Sequence, residues 1–81
     1  MKTVYYLVNW HSNTRLKYYS SRAGARIAMR LRNMNLGFKQ RVARMDNDAF
    51  EYELCINSEG QEQTGTYCIL EDTIDELDLT V

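Results

Sequence analysis

Proline is absent from the 81 residues, histidine occurs once, at His11, and cysteine twice, at Cys55 and Cys68. Two thiols and one imidazole fall short of a closed zinc site unless a carboxylate or a second subunit completes it, so no metal is expected. Long apolar runs are also missing. The longest is Val4–Val8, whereas a membrane-spanning helix needs about 20 such residues. Lys2 is followed by no extended apolar stretch and no small-residue cleavage site, which argues against a secretory signal. The chain is therefore read as soluble and cytoplasmic, with no membrane partner. In a reducing compartment the two cysteines are expected as small buried thiols. A disulfide is the alternative, if their segments form a hairpin turning near Gly60–Gln63.

The parts of a catalytic centre are missing as well. Arg22-Ala23-Gly24-Ala25 lacks the glycine spacing and the lysine of a phosphate-binding loop. No Ser-His-Asp or Cys-His order can be assembled around His11. The carboxylates lie in polar surroundings that would not raise a pKa for acid catalysis. No catalytic residue and no cofactor follow, and the expectation is a non-enzymatic protein.

Each part of the chain also lacks one sign of charge. All ten Lys and Arg residues lie within positions 1–44 and all eleven Asp and Glu residues lie from 46 onward. The formal charges are +10 and −11, so the net charge of −1 conceals a strong division. If that division survives folding, the molecule carries a basic face for an anionic partner and an acidic surface for a basic one, and such fields set partner choice. If instead the basic segment Phe38–Met45 pairs with the acidic segment Ala49–Asn57, the charges meet across a ladder, worth about 0.2–1 kcal/mol per pair.

What is present is a short alternation of elements in a single domain, 1–81, ending in an acidic segment, 71–81. KTVYYLVNW, residues 2–10, is rich in β-branched and aromatic types and reads as a strand. His11-Ser12-Asn13-Thr14 reads as a turn into a second strand, residues 15–19. Ser20 or Ser21 caps a helix over RAGARIAMRLRNMN, which Gly37 ends. At about 100° per residue, Ala23, Ile27, Leu31 and Met34 share one stripe and Arg22, Arg26, Arg30 and Asn33 share the adjoining one. The small residues Ala23, Gly24 and Ala28 suit close packing on a sheet.

Phe38–Met45 reads as a third strand, followed by a turn at Asp46-Asn47-Asp48. Phe50, Tyr52, Leu54 and Ile56 then alternate with Glu51, Glu53, Cys55 and Asn57, the pattern of a half-buried strand with its carboxylates outward. Ser58–Gly65 reads as a loop and Thr66–Leu70 as a fifth strand. A short amphipathic turn is expected from Asp72 or Thr73. The order β-β-α-β-β-β predicts an α+β fold, one antiparallel sheet with one helix packed on one face.

The aromatic rings, Tyr5, Tyr6, Tyr18, Tyr19, Tyr52, Tyr67, Trp10, Phe38 and Phe50, are expected mostly in the core. The RNA-recognition signature of a basic residue followed by Gly-Phe-Gly/Ala-Phe is not there. Trp10, beside a turn, is the best exposed anchor. The candidate binding residues are Trp10, Arg15, Lys17, Arg22, Arg26 and Arg30, with Glu71–Asp78 as a second surface. They point to a module that binds and modulates a protein partner through a charged surface. One alternative is a nucleic-acid-binding protein that sets the basic helix 22–32 against phosphates. Another is a structural or self-assembling subunit, a homo-oligomer joined through exposed strand edges.

The run from Tyr5 to Arg44 passes from strand to turn to strand, then Ser20-Ser21 opens a helix. Asn35-Leu36-Gly37-Phe38 leads into a strand ending in Arg-x-x-Arg, at Arg41 and Arg44. In this layout the chain resembles small accessory proteins of bacteriophages, among them inhibitors of host RNA polymerase and anti-CRISPR proteins. The resemblance covers about half of the chain and assigns no residue a role, and the acidic second half departs from the polymerase inhibitors. It implies a viral, host-directed inhibitor acting in the host cytoplasm.

Overall fold

A computed structural model describes residues 1–46 and 49–75, with residues 40–46 described by their backbone. The elements are β1 (Lys2–Asn9), β2 (Thr14–Tyr19), α1 (Arg22–Asn35), β3 (Lys39–Asp46), β4 (Phe50–Ile56), β5 (Glu62–Thr64) and β6 (Tyr67–Ile74). All strand pairs are antiparallel, in the order β2-β1-β6-β4-β3, and β5 also pairs with β4. The fold is α+β, a single sheet with one helix, as the sequence pattern predicts.

Two expectations are corrected at the C-terminal side. Part of the predicted loop Ser58–Gly65 is strand β5, because Glu62, Gln63 and Thr64 pair with Ile56, Cys55 and Leu54. The predicted amphipathic turn from Asp72 or Thr73 does not form. Those residues extend β6, which lies between β1 and β4 and pairs with all of β1 from Lys2↔Ile74 to Asn9↔Tyr67. A central strand saturated by its neighbour along its whole length leaves no backbone groups for a helical turn. Residues 76–81, the rest of the acidic segment, lie outside the described residues, as do Asn47 and Asp48 of the predicted turn.

The helix boundaries follow the expected chemistry. Ser21 is the N-cap, and its hydroxyl accepts from the Gly24 amide at 3.1 Å. At the other end Gly37 has φ +90, a left-handed conformation that favours glycine. There the Gly37 and Phe38 amides donate to the Met34 and Asn33 carbonyls, closing the last turn.

The apolar core is small. Leu7 of β1, Ile69 of β6, and Ala25 and Met29 of α1 are buried together, with Tyr5, Tyr19, Ala28 and Tyr67 packed around them. Alternation along β1 sends Val4, Tyr6 and Val8 to the other side of the sheet. Tyr6 meets Tyr18 there edge to face, with ring centroids 5.9 Å apart. Cys55 and Cys68 are buried thiols that are not joined in a disulfide.

Strands β5 and β6 run along the same side of β4, separated by Gly65 and Thr66. The Gly65 amide donates to the Glu53 carbonyl at 2.8 Å, and the Trp10 amide to the Thr66 carbonyl at 3.1 Å. This break lies under the C-terminal half of α1. A Cβ on Gly65 would fall 2.6 Å from Asn33 Nδ2, so glycine is what lets the helix side chain reach the backbone here.

Candidate functional site

The β4 alternation has the predicted period and the opposite sense. Glu51, Glu53 and Cys55 are fully buried, while Phe50, Tyr52, Leu54 and Ile56 are half-buried. A buried carboxylate is costly unless it is paired and hydrogen-bonded, and α1 supplies those partners. Arg26 grips Glu51 side-on, through Nε at 2.6 Å and Nη2 at 3.0 Å. Arg22 bridges two strands, donating from Nη1 to Glu51 at 3.2 Å and from Nη2 to Glu71 of β6 at 2.6 Å. Its guanidinium also lies over the Tyr5 ring, 4.9 Å from the centroid. Arg30 Nε stands 3.6 Å from Glu53 Oε2, a looser ion pair, and that oxygen has no hydrogen bond. The hydrogen bonds that Arg26 donates to Glu51 raise its pKa above the ordinary value, against the lowering effect of desolvation.

Asn33 completes the row one turn on. It is fully buried, and its Nδ2 donates to Glu53 Oε1 at 2.9 Å and to the Tyr67 carbonyl at 3.2 Å. Its Oδ1 accepts from the Tyr67 amide at 3.0 Å. One amide thus bonds one oxygen of the carboxylate and both backbone groups of Tyr67 at the break between β5 and β6. Asn33, Glu51 and Glu53 were not among the sequence candidates, whereas Glu71 was, as the start of the second surface. The available signal was an i, i+4, i+8 row of arginines on a helix without a single acid, with glutamates alternating on a later strand.

The division of charge along the chain is therefore not kept in space at these positions. Arg22, Arg26 and Arg30 meet Glu51, Glu71 and Glu53, and Arg15 meets Asp72 at 3.1 Å. The residues directly opposite Glu51 and Glu53 on β3 are Met45 and Ala43, both uncharged.

The predicted binding residues do not form one surface. Arg22, Arg26 and Arg30 lie on α1. Lys17 pairs in register with Leu7, and its ammonium lies 5.3 Å from the Tyr19 ring, on the helix side of the sheet. Arg15 pairs with Val8 and lies over Tyr6 at 4.5 Å, on the opposite side. Trp10 sits past the end of β1, 47% exposed, with His11 beside it.

With the arginines turned to the sheet, the apolar stripe of α1 points outward. Ile27 is 63% exposed, Leu31 54% and Met34 46%. The packed positions are Ala25, Met29 and Asn33. Ala23, Ile27, Leu31 and the stems of Arg26 and Arg30 line a shallow cavity of about 340 Å³. Sequence reasoning identified this stripe but not its exposure. Among the described residues, no three His, Cys, Asp or Glu side chains gather to hold a metal ion, and no helix is long and apolar enough to cross a membrane. Comparison of the chain with protein-family models, curated proteins and solved structures finds no match.

Proposed function

We propose that this chain is a non-enzymatic interaction module that binds another protein through the outward face of α1. The observation that supports it is the exposed stripe Ile27–Leu31–Met34 on a helix whose charged side is the one docked on the sheet. Contiguous exposed apolar side chains bordered by charge are how soluble proteins present interaction sites. Truncating the stripe while keeping the arginines separates binding from folding. The double variant Ile27→Ser/Leu31→Ser should keep its circular dichroism spectrum and lose the partner captured by chemical cross-linking in a lysate of the native source. Capture of the same partner by the variant would place the interaction elsewhere.

The arginine row does not favour phosphate contact. Arg26 uses two of its guanidinium nitrogens on Glu51 and Arg22 is shared between Glu51 and Glu71, so the row offers few open donors to a continuous phosphate backbone.

A further inference from the structure

The observations on α1 specify what should lie on it. We infer that the groove receives an acidic amphipathic helix of another protein; this rests on the reading of α1 as the binding face. The first ground is charge. α1 contains no Asp or Glu, and its cavity is walled on one side by Arg26 and Arg30, whose side chains remain 50% and 58% exposed while paired. Among the described residues Arg30 has one ion pair, the loose 3.6 Å contact with Glu53, and its side chain lines the cavity while more than half exposed. A partner carboxylate there meets a cation held in place by the sheet, and a fixed guanidinium favours bidentate recognition.

The second ground is shape. Ala23, Ile27 and Leu31 form an i, i+4, i+8 ridge, and the cavity runs beside it along the stems of Arg26 and Arg30, while Gly24 and Ala28 on the other flank face Tyr19 and the core. A ridge next to a shallow groove is what a second helix needs in order to interdigitate, reading its anchors at i, i+3, i+4 and i+7. The cavity between Ile27, Leu31 and the arginine stems accepts one aliphatic side chain from such a partner.

Two other occupants fit less well. A second copy docked α1 to α1 in antiparallel sense sets Arg26 and Arg30 against their own images. In parallel sense it sets them against the flank that carries Gly24, Ala28 and Arg32. Neither arrangement brings a helix carboxylate to the arginines. A membrane surface would engage a convex apolar face that buries into the headgroup boundary, and here the apolar stripe borders a concavity.

The test uses three synthetic peptides with one common apolar helical face and glutamate, glutamine or lysine at the flanking positions. Each is titrated into the full chain by fluorescence anisotropy. The glutamate peptide should bind about tenfold tighter than the glutamine peptide, the effect expected of two partly desolvated charge pairs, and the lysine peptide weakest. Arg30→Gln should erase most of that preference, and Ile27→Ser/Leu31→Ser should abolish binding of all three.

Equal affinity for the glutamate and glutamine peptides, lost in the serine variant, overturns the acidic partner and leaves the α1 reading intact. Binding of no peptide overturns the inference, while the reading stands or falls on the cross-linking capture. Peptide binding unchanged in the serine variant overturns both. Stripe-dependent association with phosphatidylcholine/phosphatidylserine vesicles, or a stripe-dependent dimer in light scattering, assigns the face to lipid or to a second copy and overturns the inference.

Discussion

The two long faces of α1 have exchanged their usual roles. On an ordinary sheet-bound helix the apolar stripe packs inward and the charged stripe is solvated. Here Arg22, Arg26 and Asn33 are directed at Glu51, Glu53 and Glu71, and Ile27, Leu31 and Met34 stand in solvent. The difference teaches that a helix is oriented by its whole contact and not by its own amphipathicity. β4 and β6 present carboxylates to the helix, and a buried carboxylate left without a counter-charge costs several kcal/mol. Exposing two or three aliphatic side chains costs about 1.5–3 kcal/mol each. Once the sheet fixes the glutamates inward, the arginines decide the rotation, and Ala25 and Met29, with Ala28 beside them, are the hydrocarbon the packed face supplies.

Breaking the inward face should have the largest effect, and Asn33 is its most demanding point. Asn33→Ala removes the amide that bonds Glu53 Oε1 and both Tyr67 backbone groups, beside a fully buried carboxylate. The expected loss is about 2–4 kcal/mol, the cost of stranding buried polar groups beside a charge. Urea denaturation checks it. A loss below 1 kcal/mol would mean that the inward polar row is solvated and that the comparison between the faces is misdrawn.

The periods of α1 and β4 were legible in the sequence and the sense of their burial was not. Ser21, Gly37 and the arginine spacing mark α1 from one end to the other, since caps and helical period are local properties. The alternation in Phe50–Ile56 marks β4 equally well. Which of its faces goes inside depends on what α1 brings, and that is a tertiary fact. Reading glutamates as outward is the default for a lone strand, and it fails here because a cationic helix is set over this one. The extension of β6 through Glu71 and Asp72 was hidden for the same reason. An acidic strand is stable in the centre of a sheet when Arg22 and Arg15 reach it. The exposed stripe of Ile27 and Leu31 was therefore seen as a pattern and assigned to packing.

A second effect, smaller per pH unit, sharpens how dry the sheet interior is. Burial pushes the Cys68 thiol from an ordinary 9.0 up to about 12, with Cys55 and Glu53 adding to the shift. Below pH 9 the folded and unfolded chains both carry the neutral thiol, and the site contributes its full stability. Above it the unfolded chain ionises first, so stability falls as pH rises toward 12, by about 1.4 kcal/mol per unit. Wild type compared with Cys68→Ala between pH 8 and 10 isolates this slope, because the other titrating groups are common to both. Parallel curves would show that solvent reaches the thiol.

The smallest expected effect discriminates best between the two faces. Ile27→Ser and Leu31→Ser, measured singly by urea denaturation, should each change stability by no more than about 0.5 kcal/mol, the range of surface substitutions. Were α1 docked by its apolar stripe, each would create a cavity in the helix–sheet contact and cost about 2–5 kcal/mol. The two orientations thus differ by more than the error of the method, and the near-zero result is the informative one. Serine is also a poorer helix former than leucine by a few tenths of a kcal/mol, which sets the small destabilising sign. Leu31 shows why the measurement reaches function. A residue more than half exposed, beside two half-exposed guanidiniums held by the sheet, has its main consequence in whatever covers it if the stability change is near zero.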